Sequence, residues 1–241
     1  VPDWRARFAR AWRARCDRRA SLTVLALGDS HVRVFEHWWF MWALPHVRWN
    51  IAYVPGGTAA GLCNRGSATQ ARARFEQALQ AAPSDLVLLN LGEVDTGYAL
   101  WARAGRQNAD PRALLADAVA CYSEFVRQVA AGHRLVVIGA PLPTLDDHFV
   151  PADDIGSTRK QVQQSQLERT ALTLAFNEQV ASECAAIGVP HLDDRGFSLG
   201  ANGVVRASWR RLDRPDHHYD RKTYARWLAR ALRPHLEEVR R

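Results

Sequence analysis

Leu22-Thr-Val-Leu-Ala-Leu-Gly-Asp-Ser-His31 decides how this chain is read. The largely apolar residues 22–27 predict a buried strand, Gly28 breaks it, and Asp29-Ser30 makes a turn that caps the helix behind it. A serine placed there sits at the carboxyl end of a strand and at a helix amino terminus. Backbone N–H groups and the helix dipole favour developing negative charge at such a point. A hydroxyl nucleophile would profit from it. Alone, Gly-Asp-Ser is more often just a helix cap, so the rest of the chain has to supply the partners of a reaction.

Outward from this stretch, strand and helix alternate. Residues 31–43 predict an aromatic-rich helix and 47–54 a second strand, which runs into the glycine-rich loop Pro55-Gly-Gly-Thr-Ala-Ala-Gly61. Residues 68–82 predict a helix with Ala71, Phe75, Ala78, Leu79 and Ala82 on one face. Residues 85–91 form a continuous apolar third strand, and 92–97 are its exit loop. A helix over 111–131 opens on a proline, and a fourth strand over 134–140 is stopped by Pro141-Leu-Pro143. Residues 144–158 read as a polar lid. A long helix over 159–187 carries Leu167, Ala171, Leu174, Ala181 and Cys184 as its stripe. A short fifth strand (189–192), an irregular segment (193–219) and a last helix (220–236) with Tyr224, Trp227, Leu228, Ala231 and Leu232 inward complete the chain.

The connections are too long for hairpins, so the sheet is parallel and covered on both faces. The expected fold is a three-layer α/β/α, flavodoxin-like architecture with about five parallel strands, residues 1–241 forming a single domain. Ligands then bind beyond the carboxyl ends of the strands. Residues 1–20 read as a basic amino-terminal helix whose stripe of Trp4, Phe8, Ala11 and Trp12 docks on the domain. A membrane-surface or partner helix is the alternative.

With 241 residues, 47% of them hydrophobic, the chain can bury a sizeable core. Its net charge of +7 comes almost entirely from arginine, the lysines being Lys160 and Lys222. A pI near 9.7 argues only weakly for nucleic acid, and no basic stripe interleaved with aromatics, zinc-finger spacing or recognition helix accompanies it. Cys16, Cys63, Cys121 and Cys184 are far apart and form no CxxC, so they read as scattered free thiols, which fit a reducing cytoplasm. The apolar run Trp38–Leu44 is too short to span a bilayer. The glycine-rich loop lacks the lysine of a phosphate loop.

Three loops, at 28–31, 55–61 and 92–97, leave the same edge of the predicted sheet, and the segment Asp213-Arg-Pro-Asp-His-His-Tyr-Asp220 can reach it. Acyl chemistry needs a serine, a histidine base, a carboxylate to orient the histidine, and donors for the oxyanion. Metal binding by Asp213, Asp216, His217 and His218 is the competing reading of the last segment, but no second cluster completes a shell. No cofactor or metal is expected.

In this order of motifs the chain resembles the SGNH/GDSL hydrolases over nearly its whole length, although only short blocks match closely. Leu25-Ala-Leu-Gly-Asp-Ser30 looks like the first block, with Ser30 in the nucleophile's place. Gly56, beside Gly57, fits the second-block glycine. The resemblance implies that the N–H groups of Ser30 and Gly56 hold the oxyanion. Gly92-Glu-Val-Asp95 falls on the third block. Asp216-His-His218, followed by Tyr219 to Tyr224, looks like the fifth, which makes His218 the base.

There are two departures. The third-block asparagine is Val94, which donates nothing, and losing such a donor costs ~2.7–4 kcal/mol of transition-state stabilisation. Asn64 and Asn90 are candidates to replace it. The family's aspartate lies three residues before its histidine, whereas here Asp216 lies two before His218, with Asp213 as the fallback. Asp29, His31, Glu93, Asp95 and His217 complete the residues expected around the site.

The resemblance implies an ester hydrolase or O-acyltransferase acting on an acylated small molecule or carbohydrate. Val94 favours a second reading, a catalytically weak or inactive binding domain. A third is an accessory domain of a bacterial surface-polysaccharide protein, suggested by the missing initial methionine. No nucleic-acid partner is expected.

Overall fold

The computed structural model describes residues 20–147, 164–211 and 216–241. The strands β1 (Leu22–Gly28), β2 (Val47–Tyr53), β3 (Leu86–Asn90), β4 (Leu135–Ile138) and β5 (His191–Leu192) form one sheet in the order β2-β1-β3-β4-β5, and every pairing is parallel. This is the flavodoxin-like order, and it places the carboxyl ends of β1, β2 and β3 side by side.

Alternation along the strands divides the core in two. Leu25, Leu27, Val87, Leu89 and Val137 point to one face, against the helices α2 (Ala71–Ala81), α3 (Leu100–Gln107), α4 (Pro111–Ala130) and α5 (Gln166–Ala186). Val24, Ala26, Leu88, Val136 and Ile138 point to the other. There they meet a 3₁₀ segment (Ser30–Glu36), the short α1 (Trp38–Ala43) and the carboxyl-terminal α6 (Arg221–Val239). The three-layer α/β/α expectation holds.

Several local expectations do not. The helix over 31–43 is two pieces, because the His37 side chain accepts from the Trp39 N–H and starts a new helix. The exit loop 92–97 is largely helical: residues 93 and 94 are already helical, a wide turn over Asp95–Ala99 closes when the Leu100 N–H reaches the Asp95 carbonyl, and α3 follows, a helix the sequence reading left unassigned. The expected stripe of α5 holds only in part. Cys184 is buried and Leu174 packs partly against the core, but Leu167 is 54% exposed and Ala171 is exposed, while Arg169, Thr170, Leu172, Thr173, Phe176, Asn177 and Val180 are buried. The buried polar side chains have internal acceptors: the Thr170 and Thr173 hydroxyls donate to carbonyls one turn back, and Arg169 donates to the Leu145 carbonyl. A stripe read from polarity alone is therefore displaced from the buried face. Within the irregular 193–219 segment lie a helical turn at Arg195–Ser198 and a 3₁₀ turn at Ala207–Trp209.

The cysteine reading is also corrected. Cys63 and Cys121 form a disulfide with Cα atoms 5.4 Å apart, tying the turn behind the glycine-rich loop to α4. Spacing along the chain concealed it, because the two positions are 58 residues apart and meet only in the tertiary fold. Cys184 is free and buried. The free-thiol argument for a cytoplasmic location therefore fails for this pair. The amino-terminal helix, most of the lid, Cys16 and Asp213 lie outside the described residues. No described helix is long and apolar enough to cross a membrane.

Candidate active site

Gly28 ends β1 where a side chain would collide with the Asn90 backbone and Val32, so glycine is required for β1 and β3 to pair this far. The chain then turns, and Asp29 caps the 3₁₀ segment by accepting the His31 N–H at 2.8 Å. Ser30 emerges at the carboxyl edge of the sheet.

From the other side, Asp216-His217-His218 arrives just before α6. The Ser30 Oγ lies 2.9 Å from His218 Nε2, and His218 Nδ1 lies 2.9 Å from Asp216 Oδ1. The same aspartate oxygen accepts the His218 backbone N–H at 2.6 Å. Two-residue spacing works because the aspartate folds into a tight turn that holds the backbone and the ring of the histidine together. Arg211 donates to the other oxygen, Asp216 Oδ2, at 2.8 Å, and the Thr144 hydroxyl donates to the Asp216 carbonyl at 2.6 Å. Tyr219, fully buried behind the pair, receives the Leu142 N–H on its hydroxyl and donates to Asp194. An open pocket of about 260 Å³ adjoins the serine, lined by Ser30, His31, Asp216, His218 and three arginines, Arg33, Arg211 and Arg221.

The electrostatics suit a neutral histidine beside an ionised aspartate. Burial pushes the Asp216 carboxyl up, but the hydrogen bonds from the His218 ring and backbone outweigh it and hold it well below the usual carboxylate range. Burial lowers the His218 pKa. The hydrogen bond from Asp216 opposes this and the charge of His31 adds to it, and the net result lies below the ordinary histidine value. A neutral imidazole accepting from a serine hydroxyl can remove its proton during attack on a carbonyl.

The remaining expected residues divide. Asp29, His31 and Glu93 are buried together beneath Ser30, 1%, 3% and 1% exposed. His31 Nδ1 lies 2.8 Å from Asp29 Oδ1, and its Nε2 lies 3.2 Å from the His217 carbonyl. The rings of His31, His217 and His218 touch one another. Asp95 is buried and accepts the Ala59 and Ala60 N–H groups at 2.7 and 3.1 Å, anchoring the glycine-rich loop. Burial raises its carboxyl to about 7 against those two donors. Gly56 has φ +68°, a left-handed turn that favours glycine.

Neither expected substitute for the missing donor serves at the pocket: Asn90 uses its side-chain N–H groups elsewhere, and Asn64 does not line it. Asn90 donates both side-chain N–H groups to β4, at the Ile138 and Gly139 carbonyls. Asn64 is exposed, and its side-chain oxygen caps the Gly66 N–H. Gly56, Gly57 and Asn64 do not line the pocket beside Ser30. Two sets of possible metal ligands lie within 4.8 Å, Asp216-His217-His218 and Asp29-His31-Glu93. In both, the aspartate and a histidine already bond to each other.

Sequence reasoning missed Thr144, which reaches Asp216 from 72 residues away, and Arg211, which folds back on it from five residues earlier. It also left His31 without a definite role. A signal for His31 was present: Asp29-Ser30-His31 repeats the Asp-x-His spacing of Asp216-His217-His218.

The fold and this edge of the sheet define the class. Solved structures similar to this chain include a Bacteroides fragilis protein assigned as an acylhydrolase (TM-score 0.62, 10% identity, covering 96% of this chain and 97% of that one). They also include a carbohydrate acetylesterase family member from Sinorhizobium meliloti (0.57, 15%, 90% and 98%) and a GDSL-like lipase from Bacteroides thetaiotaomicron (0.55, 11%, 95% and 97%). No protein-family profile matches the chain, and no curated protein does. The chain has the SGNH/GDSL-hydrolase fold.

Proposed function

We propose that this protein is a serine ester hydrolase acting on an acylated small molecule or carbohydrate. One observation carries the reading: the unbroken line of contacts from Ser30 Oγ to His218 Nε2, and from His218 Nδ1 to Asp216, at 2.9 Å each. Ser30 Oγ attacks the ester carbonyl carbon while His218 Nε2 takes its proton. Asp216 keeps the ring in the productive tautomer and stabilises the imidazolium that forms. The resemblance assigns the oxyanion to the N–H groups of Ser30 and Gly56, although Gly56 lies outside the pocket lining, and His218 returns the proton to the departing alkoxide. Water then attacks the acyl-enzyme; a sugar hydroxyl doing the same would make the protein an O-acyltransferase. A carbohydrate ester is supported by the Sinorhizobium neighbour, itself described as a carbohydrate acetylesterase family member. The disulfide fits an oxidising compartment better than the cytoplasm.

Val94 favours a second reading, a pocket that binds esters and turns them over slowly. The side chain is half-buried and offers no hydrogen bond where the resemblance places the third oxyanion donor. Labelling by a fluorophosphonate tests both. The hydrolase reading expects Ser30 to be labelled, Ser30→Ala to be unlabelled, and short aryl esters to be cleaved by the parent protein alone. A folded parent that is neither labelled nor active supports the binding reading.

A further inference from the structure

We propose that His31 is a positioning residue for the base His218, an imidazole protonated at neutral pH that anchors the base's backbone and presents a positive charge to its ring. This rests on the reading of Ser30, His218 and Asp216 given above. Both ring nitrogens of His31 face acceptors. Nδ1 faces a carboxylate oxygen of Asp29 at 2.8 Å, and Nε2 faces the backbone carbonyl of His217 at 3.2 Å. A carboxylate and a carbonyl only accept, so both nitrogens must carry hydrogen, and an imidazole with two N–H groups is a cation.

The surroundings support that charge state. The ring is 3% exposed, and it is faced by Asp29 from its own turn, by Glu93 from the segment after β3, and by His217 and His218 from the segment before α6. Asp216, the remaining charged group on that segment, is bonded to His218 and Arg211. Burial alone would lower the His31 pKa. The adjacent, hydrogen-bonded Asp29, with Glu93 and the His217 carbonyl, outweighs burial and raises it to about 9.

Two consequences follow for the base. The Nε2–H···O=C bond holds the residue preceding His218, and with it the loop that brings His218 Nε2 to Ser30. The ring centroids of His31 and His218 are 4.6 Å apart, so the His31 charge opposes protonation of His218 and keeps the base available at lower pH.

The test joins a ring titration with kinetics. In the wild-type protein, long-range ¹H–¹⁵N spectra of the histidine rings should show one buried imidazole, absent from His31→Gln, that stays doubly protonated up to pH 8, after His218 has lost its proton at lower pH. In His31→Gln the side-chain amide still reaches the His217 carbonyl but carries no charge. The His218 midpoint, and with it the acid limb of kcat/KM on a short aryl ester, should rise by about one pH unit. His31→Ala, which loses the anchor as well, should in addition lower kcat by about tenfold or more with little change in KM. A purely structural role would lower activity evenly across the pH range and leave the limb in place. The proposal is overturned by a His31 ring that is neutral at pH 7 in the wild type, or by an unmoved His218 midpoint in a folded His31→Gln. The titration of the His31 ring needs no active enzyme. If Ser30→Ala keeps full activity, the hydrolase reading fails, whereas the His31 titration still reports on the charge.

Discussion

Asp29-Ser30-His31 and Asp216-His217-His218 share one local geometry. In each, the histidine N–H and its ring Nδ1 both meet Oδ1 of the aspartate two residues earlier, at 2.8 and 2.8 Å in the first and at 2.6 and 2.9 Å in the second. They differ at the far nitrogen. His31 Nε2 meets a carbonyl, which can only accept, and His218 Nε2 meets a hydroxyl, which can also donate. They differ too in solvent, since His31 and Asp29 are buried while His218 and Asp216 are only half-buried. The same tight turn therefore yields a cation at neutral pH in one place and a proton acceptor in the other. What a histidine does is set by the partner of its second nitrogen, not by the motif that orients it.

Exchanging each aspartate for its amide should separate the two. Asp216→Asn should lower kcat on short esters by up to ~10⁴-fold, because an amide stabilises the wrong tautomer of His218. Its unfolding free energy in urea should change by under about 1 kcal/mol, the side chain being partly solvated and its ion pair with Arg211 screened. Asp29→Asn should do the reverse on stability. It leaves the buried His31 short of its charge partner and should lower the unfolding free energy by about 3–5 kcal/mol. Equal stability losses in the two variants would erase the distinction.

Smaller effects sharpen it. Val94→Asn should raise kcat on a small ester, approaching ~10²-fold, with KM nearly unchanged, because the added bond forms mainly in the transition state. A fast wild type with a neutral or harmful Val94→Asn would show that another donor fills the oxyanion site. The smallest effect is in the pH dependence of stability. An unfolded histidine titrates near 6.5 and His31 in the fold at about 9, so between these values the folded chain binds more protons than the unfolded one. The His31 contribution is full below pH 6.5 and is lost as pH rises through 9, with a slope of at most about 1.4 kcal/mol per pH unit. Urea titrations across this window should show the decline in the wild type and a flatter curve in Asp29→Asn.

Strand order, layers and the meeting of Ser30 with Asp216-His217-His218 were legible in the sequence, because continuous apolar strands and punctuating loops leave few topologies open. Three kinds of information were not. Polar residues with internal acceptors, such as Thr170 and Thr173 in α5, displace the buried face of a helix without altering its period. Contacts between distant segments, such as the Thr144 hydroxyl on the Asp216 carbonyl, have no local signature. The charge of His31 depends on what its Nε2 meets 186 residues away, and no spacing records that.

The bridge between Cys63 and Cys121 closes a loop that contains β3, α2, α3 and half of α4. In the unfolded chain that closure removes conformational freedom, an effect of typically ~2–4 kcal/mol. Reductant in a purification buffer is then an active variable rather than a preservative, since it restores that freedom to the unfolded chain. A simple inventory reports which state a preparation is in. Titrated in denaturant without reductant, the bridged protein yields two thiols fewer than the four its sequence encodes.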